Sequence, residues 1–410
     1  MRSLLLGIDV GTSSCKAAVL DAEHGRELAH GRVTTPWQRV GSGAEIDPHA
    51  LFAAARHAAS DALAAGPEGR LVALGVTSMA EAGVLLGEGG DVLHPAIAWH
   101  DERGSEQAAA FGEDLGRERF SRRTGLPVSA LCSLAKLRWL LDHGRLARAP
   151  RRWCNVAEWV VRCLGGTELS EISLASRTGL LDLSARAPYA EALAWAGLPA
   201  DLLGELVPSG TPAGAVAESV LPGAGGAVLT VAGMDHLCAG VGVGVLAPGD
   251  VLDSCGTAEA LVRVLAPPLT PQRVAASVAA GFTVGWHLAP DRQALLGALW
   301  SGLALQRVLD ERGLTLPVRE PVEAWHEAVG SVTGDADRML GVMDALVGAR
   351  RRVVATGGWT HDPTVMDAKR ALGAVPAPAV SEAGARGAGL IAGIAAGLYA
   401  GLEGLPGPEA

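Results

Sequence analysis

The first hydrophobic run of the chain is interrupted by a polar turn and then resumes. In the segment "LLLGIDVGTSSCKAAVLD" (residues 4–21), apolar residues lead into an Asp-x-Gly-Thr-Ser turn, after which residues alternate between two faces with a period of two. A phosphate-binding turn after a buried strand usually leads into a helix, whereas a period of two is that of a strand. The segment therefore predicts a β-hairpin.

The turn of this hairpin has the residue types of a phosphate site. Gly11 removes a side chain where backbone must approach a ligand, and successive N–H groups in such a turn bind anions. Thr12 and Ser13 add hydroxyl donors. Asp9 would repel a bare phosphate, so it fits only with a cation in between, which indicates a Mg²⁺-nucleotide site. The alternative is that Asp9 simply begins an ordinary hairpin turn.

Further apolar patterns predict an α/β organisation. Strand and helix periods alternate along the first part of the chain. They predict a helix over residues 50–66, a buried strand over 70–78, and helical structure over 105–123 and 130–144.

A second hairpin is predicted near the middle of the chain. The segment "GDVLDSCGTAEALVRVL" (residues 249–265) again places a Gly-Thr turn, Gly256-Thr257, between two apolar runs. Ser254 stands where Asp9 stands in the first hairpin, so one turn would face metal and phosphate and the other phosphate alone. The repetition predicts a duplicated α/β unit with a cleft between the copies, although two Gly-Thr turns can also arise by chance.

Composition narrows the class of protein. With 410 residues, 49% hydrophobic and 19% charged, the chain can bury one or two large cores, and its length favours two domains. A net charge of −10 argues against a nucleic-acid partner. The six cysteines include no CxC or CxxC pair, and no apolar run reaches the length of a membrane span. Together with the lack of a signal-peptide pattern, these features favour a cytoplasmic location without a membrane partner.

The chain resembles the FGGY carbohydrate kinases of the actin-like ATPase superfamily at segments that follow the family's order. These segments are "GIDVGTSSCKAAVLD", "AEIDPHAL", "PAIAWHDER", "SLAKLRWLL", "AGMDHLCAGVGVGVLAPGDVLDSCGTAEAL", and "VVATGGWTHDPTVMDAKRALGAVP" with "EAGARGAGLIAGIAAG". The resemblance implies an α/β fold with two RNase H-like domains flanking a nucleotide and sugar cleft. It also implies ATP and Mg²⁺ as cofactors, and transfer of the γ-phosphoryl group to a hydroxyl of a small sugar or polyol.

The same resemblance implies a role for each matching residue of the nucleotide site. Asp9 would hold the metal. The other positions would be Gly11, Thr12, Ser13 and Lys16 at the terminal phosphates, Gly256 and Thr257 at the phosphates from the second domain, and Gly357 and Gly358 at the adenosine.

Asp235 is the implied general base. It precedes the run "HLCAGVGVG", which predicts that it lies in the first turn of a helix, where the helix dipole keeps a carboxylate ionised. Because phosphoryl transfer is largely dissociative, a carboxylate of ordinary pKa can take the proton late. The alternative is that Asp235 only caps the helix.

The acceptor pocket is implied by a second group of residues. Glu81 occupies the place of a substrate-contacting residue of the family, and a carboxylate there can accept hydroxyl hydrogen bonds. Trp99, Asp101 and Arg103 would complete the pocket together with Asp235. The alternative for Glu81, Trp99, Asp101 and Arg103 is that they lie in a solvated turn. These residues do not identify the sugar.

The resemblance also gives domain limits and leaves rival functions open. We expect an N-terminal domain over residues 1–246 and a C-terminal domain over residues 247–410. The second domain is shorter than expected for the family between about residues 300 and 353, where helices and connectors are predicted. A catalytically weak sugar-binding or regulatory protein and a non-kinase actin-like ATPase are the rivals, and the resemblance allows a homodimer.

Overall fold

The fold is described from a computed structural model of the chain. It describes residues 2–256, 258–319, 322–377 and 380–408. The predicted phosphate-binding residue Thr257 lies outside the described residues, so its role stays a prediction.

Strands and helices alternate along the chain, as the apolar patterns predict. The strands are β1 Ser3–Val10, β2 Ser14–Asp21, β3 Glu27–Thr34, β4 Gln38–Val40, β5 Gly43–Ile46, β6 Arg70–Ser78, β7 Gly83–Leu86, β8 Ala96–Ile97, β9 Arg152–Asn155, β10 Ser170–Glu171, β11 Leu181–Asp182, β12 Ala187–Pro188, β13 Leu206–Val207, β14 Pro212–Ala215, β15 Val228–Met234, β16 Asp250–Cys255, β17 Glu259–Leu265, β18 Thr283–Trp286, β19 Gln293–Leu299, β20 Arg352–Thr356 and β21 Ala374–Pro376. The helices are α1 Pro48–Ala65, α2 Ser105–Asp114, α3 Arg117–Thr124, α4 Ser133–Asp142, α5 Val156–Cys163, α6 Ile172–Ala175, α7 Ala190–Ala196, α8 Asp235–Gly242, α9 Pro271–Ala279, α10 Ser301–Arg312, α11 Glu323–Val347, α12 Pro363–Ala371 and α13 Ala383–Ala395, with short 3-10 turns at Gly358–His361 and Leu402–Gly404.

The predicted opening hairpin is confirmed and forms part of a six-stranded sheet. The strand order is β14-β15-β6-β1-β2-β3. Strand β1 pairs antiparallel with β2 and parallel with β6, which in turn pairs parallel with β15. The three parallel strands therefore end at one edge of the sheet, where the Gly11 turn lies.

A second six-stranded sheet repeats this arrangement, as the second Gly-Thr turn predicts. Its order is β18-β19-β17-β16-β20-β21. Strand β16 pairs antiparallel with β17 and parallel with β20, and β20 pairs parallel with β21. Leaving out the edge strands β14 and β18, both sheets have three antiparallel strands continued by two parallel ones, so the duplicated α/β unit is confirmed.

Two local predictions are refined by the structure. The helical stretch over 105–123 is two helices, α2 and α3, because Gly116 takes a left-handed φ of 77° that a continuous helix cannot contain. The shortened region between about 300 and 353 holds the helices α10 and α11, which confirms the prediction of helices and connectors there.

The last helix, α13, returns to the first sheet. It packs against β1, β6 and β15 and against helix α8, so residues from the end of the chain complete the core of the first sheet. The predicted domain limit at residue 246 stays a prediction, although α13 and the N-terminal strands share one core. Within the described ranges, no helix combines the length and the apolar composition needed to cross a membrane.

Candidate active site

The first turn has the geometry of a tight hairpin. The Gly11 N–H donates to the Ser14 carbonyl over 3.1 Å, and the Thr35 hydroxyl donates to the Gly11 carbonyl over 2.8 Å. The Ser13 carbonyl accepts from the Thr35 N–H over 3.2 Å, while the Ser13 side chain is exposed. The turn is thus anchored from β3 and leaves its outer face open to a ligand.

Asp9 is a buried carboxylate with an unsatisfied oxygen. Its Oδ1 atom has no hydrogen-bond partner among the described residues, and a Cβ at Gly384 of α13 would lie 2.5 Å from Oδ2. Burial raises the pKa of Asp9 to about 7; the charges of Asp235 and Glu382 add to this effect, and Lys16 opposes it. A buried carboxylate oxygen without a partner has the chemistry of a cation ligand.

Lys16 faces Asp9 across the hairpin but is bound to another carboxylate. The two residues are register partners in β1 and β2, and the Lys16 Nζ atom lies 3.2 Å from Glu382 Oε2. Arg32 of β3 also pairs with Glu382. Sequence reasoning missed Glu382, although it begins the last segment of the resemblance, because no pattern shows that this segment returns to the first hairpin.

Trp99 and Thr12, predicted for two different ligands, contact each other. The Trp99 indole N–H donates to the Thr12 hydroxyl over 2.9 Å, and the Trp37 indole N–H donates to the Thr12 carbonyl over 2.8 Å. Buried Lys136 donates to the Trp99 carbonyl over 2.6 Å. The predicted acceptor and phosphate sites are therefore adjacent.

Asp101 and Arg103 are brought together as an ion pair. The Arg103 Nη2 atom lies 2.7 Å from Asp101 Oδ2, the Ala44 N–H donates to the same oxygen over 3.0 Å, and Arg103 also binds Glu45. Burial alone would raise the pKa of Asp101, but the hydrogen bonds from Arg103 and Ala44 outweigh it and lower that pKa. The pair holds the β5 segment, and its contact with an acceptor stays a prediction.

Glu81 is held by an arginine that sequence reasoning missed. Its backbone has a left-handed φ of 61°, and its carbonyl accepts from the Ser133 hydroxyl over 3.1 Å. Arg177 donates to Glu81 Oε1 from Nε over 2.8 Å. Arg177 lies outside every segment that resembles the family, so the sequence held no signal for this contact.

Asp235 is the first residue of α8, which confirms the predicted position in a first helical turn. It is half-buried, and its Oδ1 accepts from the His236 N–H over 2.7 Å. Met234 occupies the cap position, but Asp235 accepts a backbone N–H of the same first turn, so the alternative that Asp235 only caps this helix stays open. Behind it, the Ser173 hydroxyl accepts from the Met234 N–H over 3.1 Å and donates to buried Glu171 over 2.6 Å. Neither Ser173 nor Glu171 is part of a recognised motif.

The second turn and the predicted adenosine glycines lie together. Gly357 has a φ of 106°, and a Cβ there would lie 2.4 Å from the Cys255 carbonyl, so this position needs glycine. The Trp359 indole N–H donates to the Gly256 carbonyl over 3.0 Å. A Cβ at Gly358 would have no neighbour within 4 Å among the described atoms, so the backbone there is open to a ligand.

A buried ionic cluster lies beneath this second turn. Lys369 Nζ is 2.9 Å from Asp253 Oδ2 and 2.5 Å from Glu259 Oε1. Burial raises the pKa of Glu259; the charge of Asp253 adds to this effect, and Lys369 opposes it. Asp253, Cys255 and Glu259 place their ligand-type atoms within 4.8 Å of one another, but the Lys369 ammonium already supplies a positive charge. The cluster therefore ties α12 to the strands that carry the turn.

Comparison with known proteins identifies the family. Residues 4–242 match the FGGY family of carbohydrate kinases, N-terminal domain. The chain is 27% identical to a gluconokinase of Bacillus subtilis (strain 168), over 67% of this chain and 54% of that protein. It is 31% identical to a xylulose kinase of Streptomyces rubiginosus, over 79% of this chain and 65% of that protein.

The alignments thus span about half to two thirds of these relatives. A solved structure of Plasmodium falciparum glycerol kinase with ADP superposes with a TM-score of 0.84 at 16% identity, covering 100% of this chain and 93% of that one. The fold is therefore that of two RNase H-like domains of the actin-like ATPase type. With more than half of its residues matched, the chain belongs to the FGGY family of carbohydrate kinases.

Proposed function

We propose that the protein is an ATP-dependent kinase that transfers the γ-phosphoryl group to a hydroxyl of a small sugar or polyol, with Asp235 as general base. The observation that carries this proposal is the placement of two carboxylates. Asp9 lies near the end of β1 and Asp235 directly after β15, and these strands run parallel to β6 between them. Both side chains therefore lie at the sheet edge that holds the Gly11 turn.

Residues at the same edge of the first sheet, together with the second turn, support ATP and Mg²⁺ as cofactors. Asp9 has a buried, unpartnered oxygen of the type that Mg²⁺ binds, so it would hold the metal. When bound, Mg²⁺ would neutralise charge on the nucleotide phosphates. The ADP of the Plasmodium falciparum glycerol kinase supports a nucleotide in the cleft. Gly357 and Gly358 would accommodate its adenosine, and Gly256 and Thr257 its phosphates.

The chain's own groups have separate tasks in the transfer. The Gly11 turn presents N–H groups and the Thr12 hydroxyl to the phosphates. Glu81 accepts a hydrogen bond from the acceptor, and the Trp99 ring offers a face for its C–H groups. Asp235 accepts the proton of the attacking hydroxyl late in a loose transition state, from its position in the first turn of α8.

The decisive experiment measures ADP release with glycerol, D-gluconate and D-xylulose as acceptors. We expect wild-type turnover of at least one acceptor, and a loss of about 10²- to 10⁴-fold in kcat for Asp235→Asn with ATP still bound. Asp61→Asn, on an exposed face of α1, is the matched control and should behave as wild type. Full activity of Asp235→Asn would refute the base. Inactivity of wild type on every acceptor despite ATP binding would favour the sugar-binding rival.

A further inference from the structure

Arg177 joins the acceptor pocket to the second sheet. Its side chain is 12% exposed and lies just after α6. Nε and Nη2 lie 2.8 and 2.7 Å from Glu81 Oε1, and Nη1 donates to the Thr283 hydroxyl over 2.6 Å. Thr283 begins β18, the edge strand of the second sheet. One planar guanidinium therefore contacts both a predicted substrate carboxylate and the other half of the molecule.

The two carboxylate oxygens of Glu81 differ in their hydrogen-bond partners. Arg177 binds Oε1 from two nitrogens, whereas no described residue hydrogen-bonds to Oε2. A carboxylate oxygen without a protein partner is open to a hydroxyl donor. The Glu81 side chain is only 15% exposed, so its orientation is set by its protein contacts rather than by solvent.

We infer that Arg177 is a positioning residue for acceptor recognition: it holds Glu81 through Oε1 so that Oε2 receives a hydroxyl of the acceptor. The inference rests on the proposed function, because it assigns an acceptor to this pocket. Lysine cannot replace Arg177 fully, since a single ammonium cannot reproduce a planar fork that reaches Glu81 and Thr283 together.

The test compares Arg177→Gln, Arg177→Lys and wild type with glycerol, D-gluconate and D-xylulose. For an acceptor that wild type uses, Arg177→Gln should raise the acceptor KM about 10- to 100-fold, since a hydrogen bond to a charged group is lost. The KM for ATP should change less than twofold, and Arg177→Lys should recover part of the loss. The control is Arg123→Gln, which breaks an ion pair with Asp182 in the same half of the molecule.

Two results would overturn the inference. Equal rises in the acceptor and ATP KM values would show a general structural role. The second result would be that Arg177→Gln raises the acceptor KM as strongly in a Glu81→Gln variant as in wild type. If Arg177 acts by positioning Glu81, its substitution must have a smaller effect once Glu81 has been replaced.

A crystal structure of Arg177→Gln separates this inference from the proposed function. If wild type uses none of the three acceptors, the kinase proposal fails, and the position of Glu81 in that crystal still decides the inference. A displaced Glu81 carboxylate supports positioning by Arg177, whereas an unchanged carboxylate refutes it.

Discussion

Replacing Asp9 by asparagine should stabilise the ligand-free protein at neutral and higher pH. The pKa of Asp9 is about 7, against an ordinary value of 3.8, mainly because the side chain is buried. Below pH 3.8 the carboxyl is protonated in both states and contributes nothing. Between pH 3.8 and 7 the unfolded chain releases a proton that the folded protein retains, so stability falls as pH rises. The difference in pKa, at 1.36 kcal/mol per unit, sets an upper value of about 4 kcal/mol.

The assay is urea unfolding of wild type and Asp9→Asn in a chelator at several pH values. We expect the free energies of unfolding to agree near pH 3.5 and to diverge, with the variant more stable, up to pH 8. Asp235→Asn is a suitable comparison because this carboxylate is half-buried at a helix start. A stability difference for Asp9→Asn that does not change with pH, or a variant less stable than wild type at pH 8, would refute this reasoning.

Two further predictions concern packing and an ion pair. Gly387→Ala should destabilise the protein by about 3 kcal/mol or more, because the new Cβ would lie 1.8 Å from the Cys238 carbonyl oxygen. Gly341→Ala is the control, since a Cβ there has no described neighbour within 4 Å. In the same denaturation assay, this second substitution should stabilise α11 by up to about 1 kcal/mol. Asp101→Asn should lower the free energy of unfolding by about 2 kcal/mol at pH 7, because it weakens the contact with Arg103. Since the pKa of Asp101 is lowered in the folded state, this loss of stability should shrink as pH falls below 3.8. A loss that does not change with pH would contradict the ion pair between Asp101 and Arg103.

The sequence predicted those parts of the site that lie within one local segment. The hairpin around Gly11 and the helical start at Asp235 follow from short-range alternation and from the residues next to each motif. The strand predicted over residues 70–78 coincides with β6, since a continuous apolar run bounded by polar residues fixes both ends.

The parts that escaped prediction depend on contacts between distant segments. Glu382 reaches Lys16 and Arg32 across more than three hundred residues, and Arg177 reaches Glu81 across 96 residues. An ion pair of this kind leaves no period in the sequence, because each partner is read as an ordinary surface charge. Family motifs therefore gave the residues of the candidate site, while the partners that hold their side chains came only from the fold.

The return of α13 to the first sheet has a consequence for the order in which the protein can be assembled during synthesis. Strands β1 and β6 leave the ribosome well before the helix that covers them, which lies more than three hundred residues later. An N-terminal half therefore emerges with one face of its central strands uncovered, and that apolar face stays exposed to aggregation until α13 has been made. Contacts of such sequence separation also slow folding, so a fragment ending near residue 242 should aggregate rather than form an independent domain.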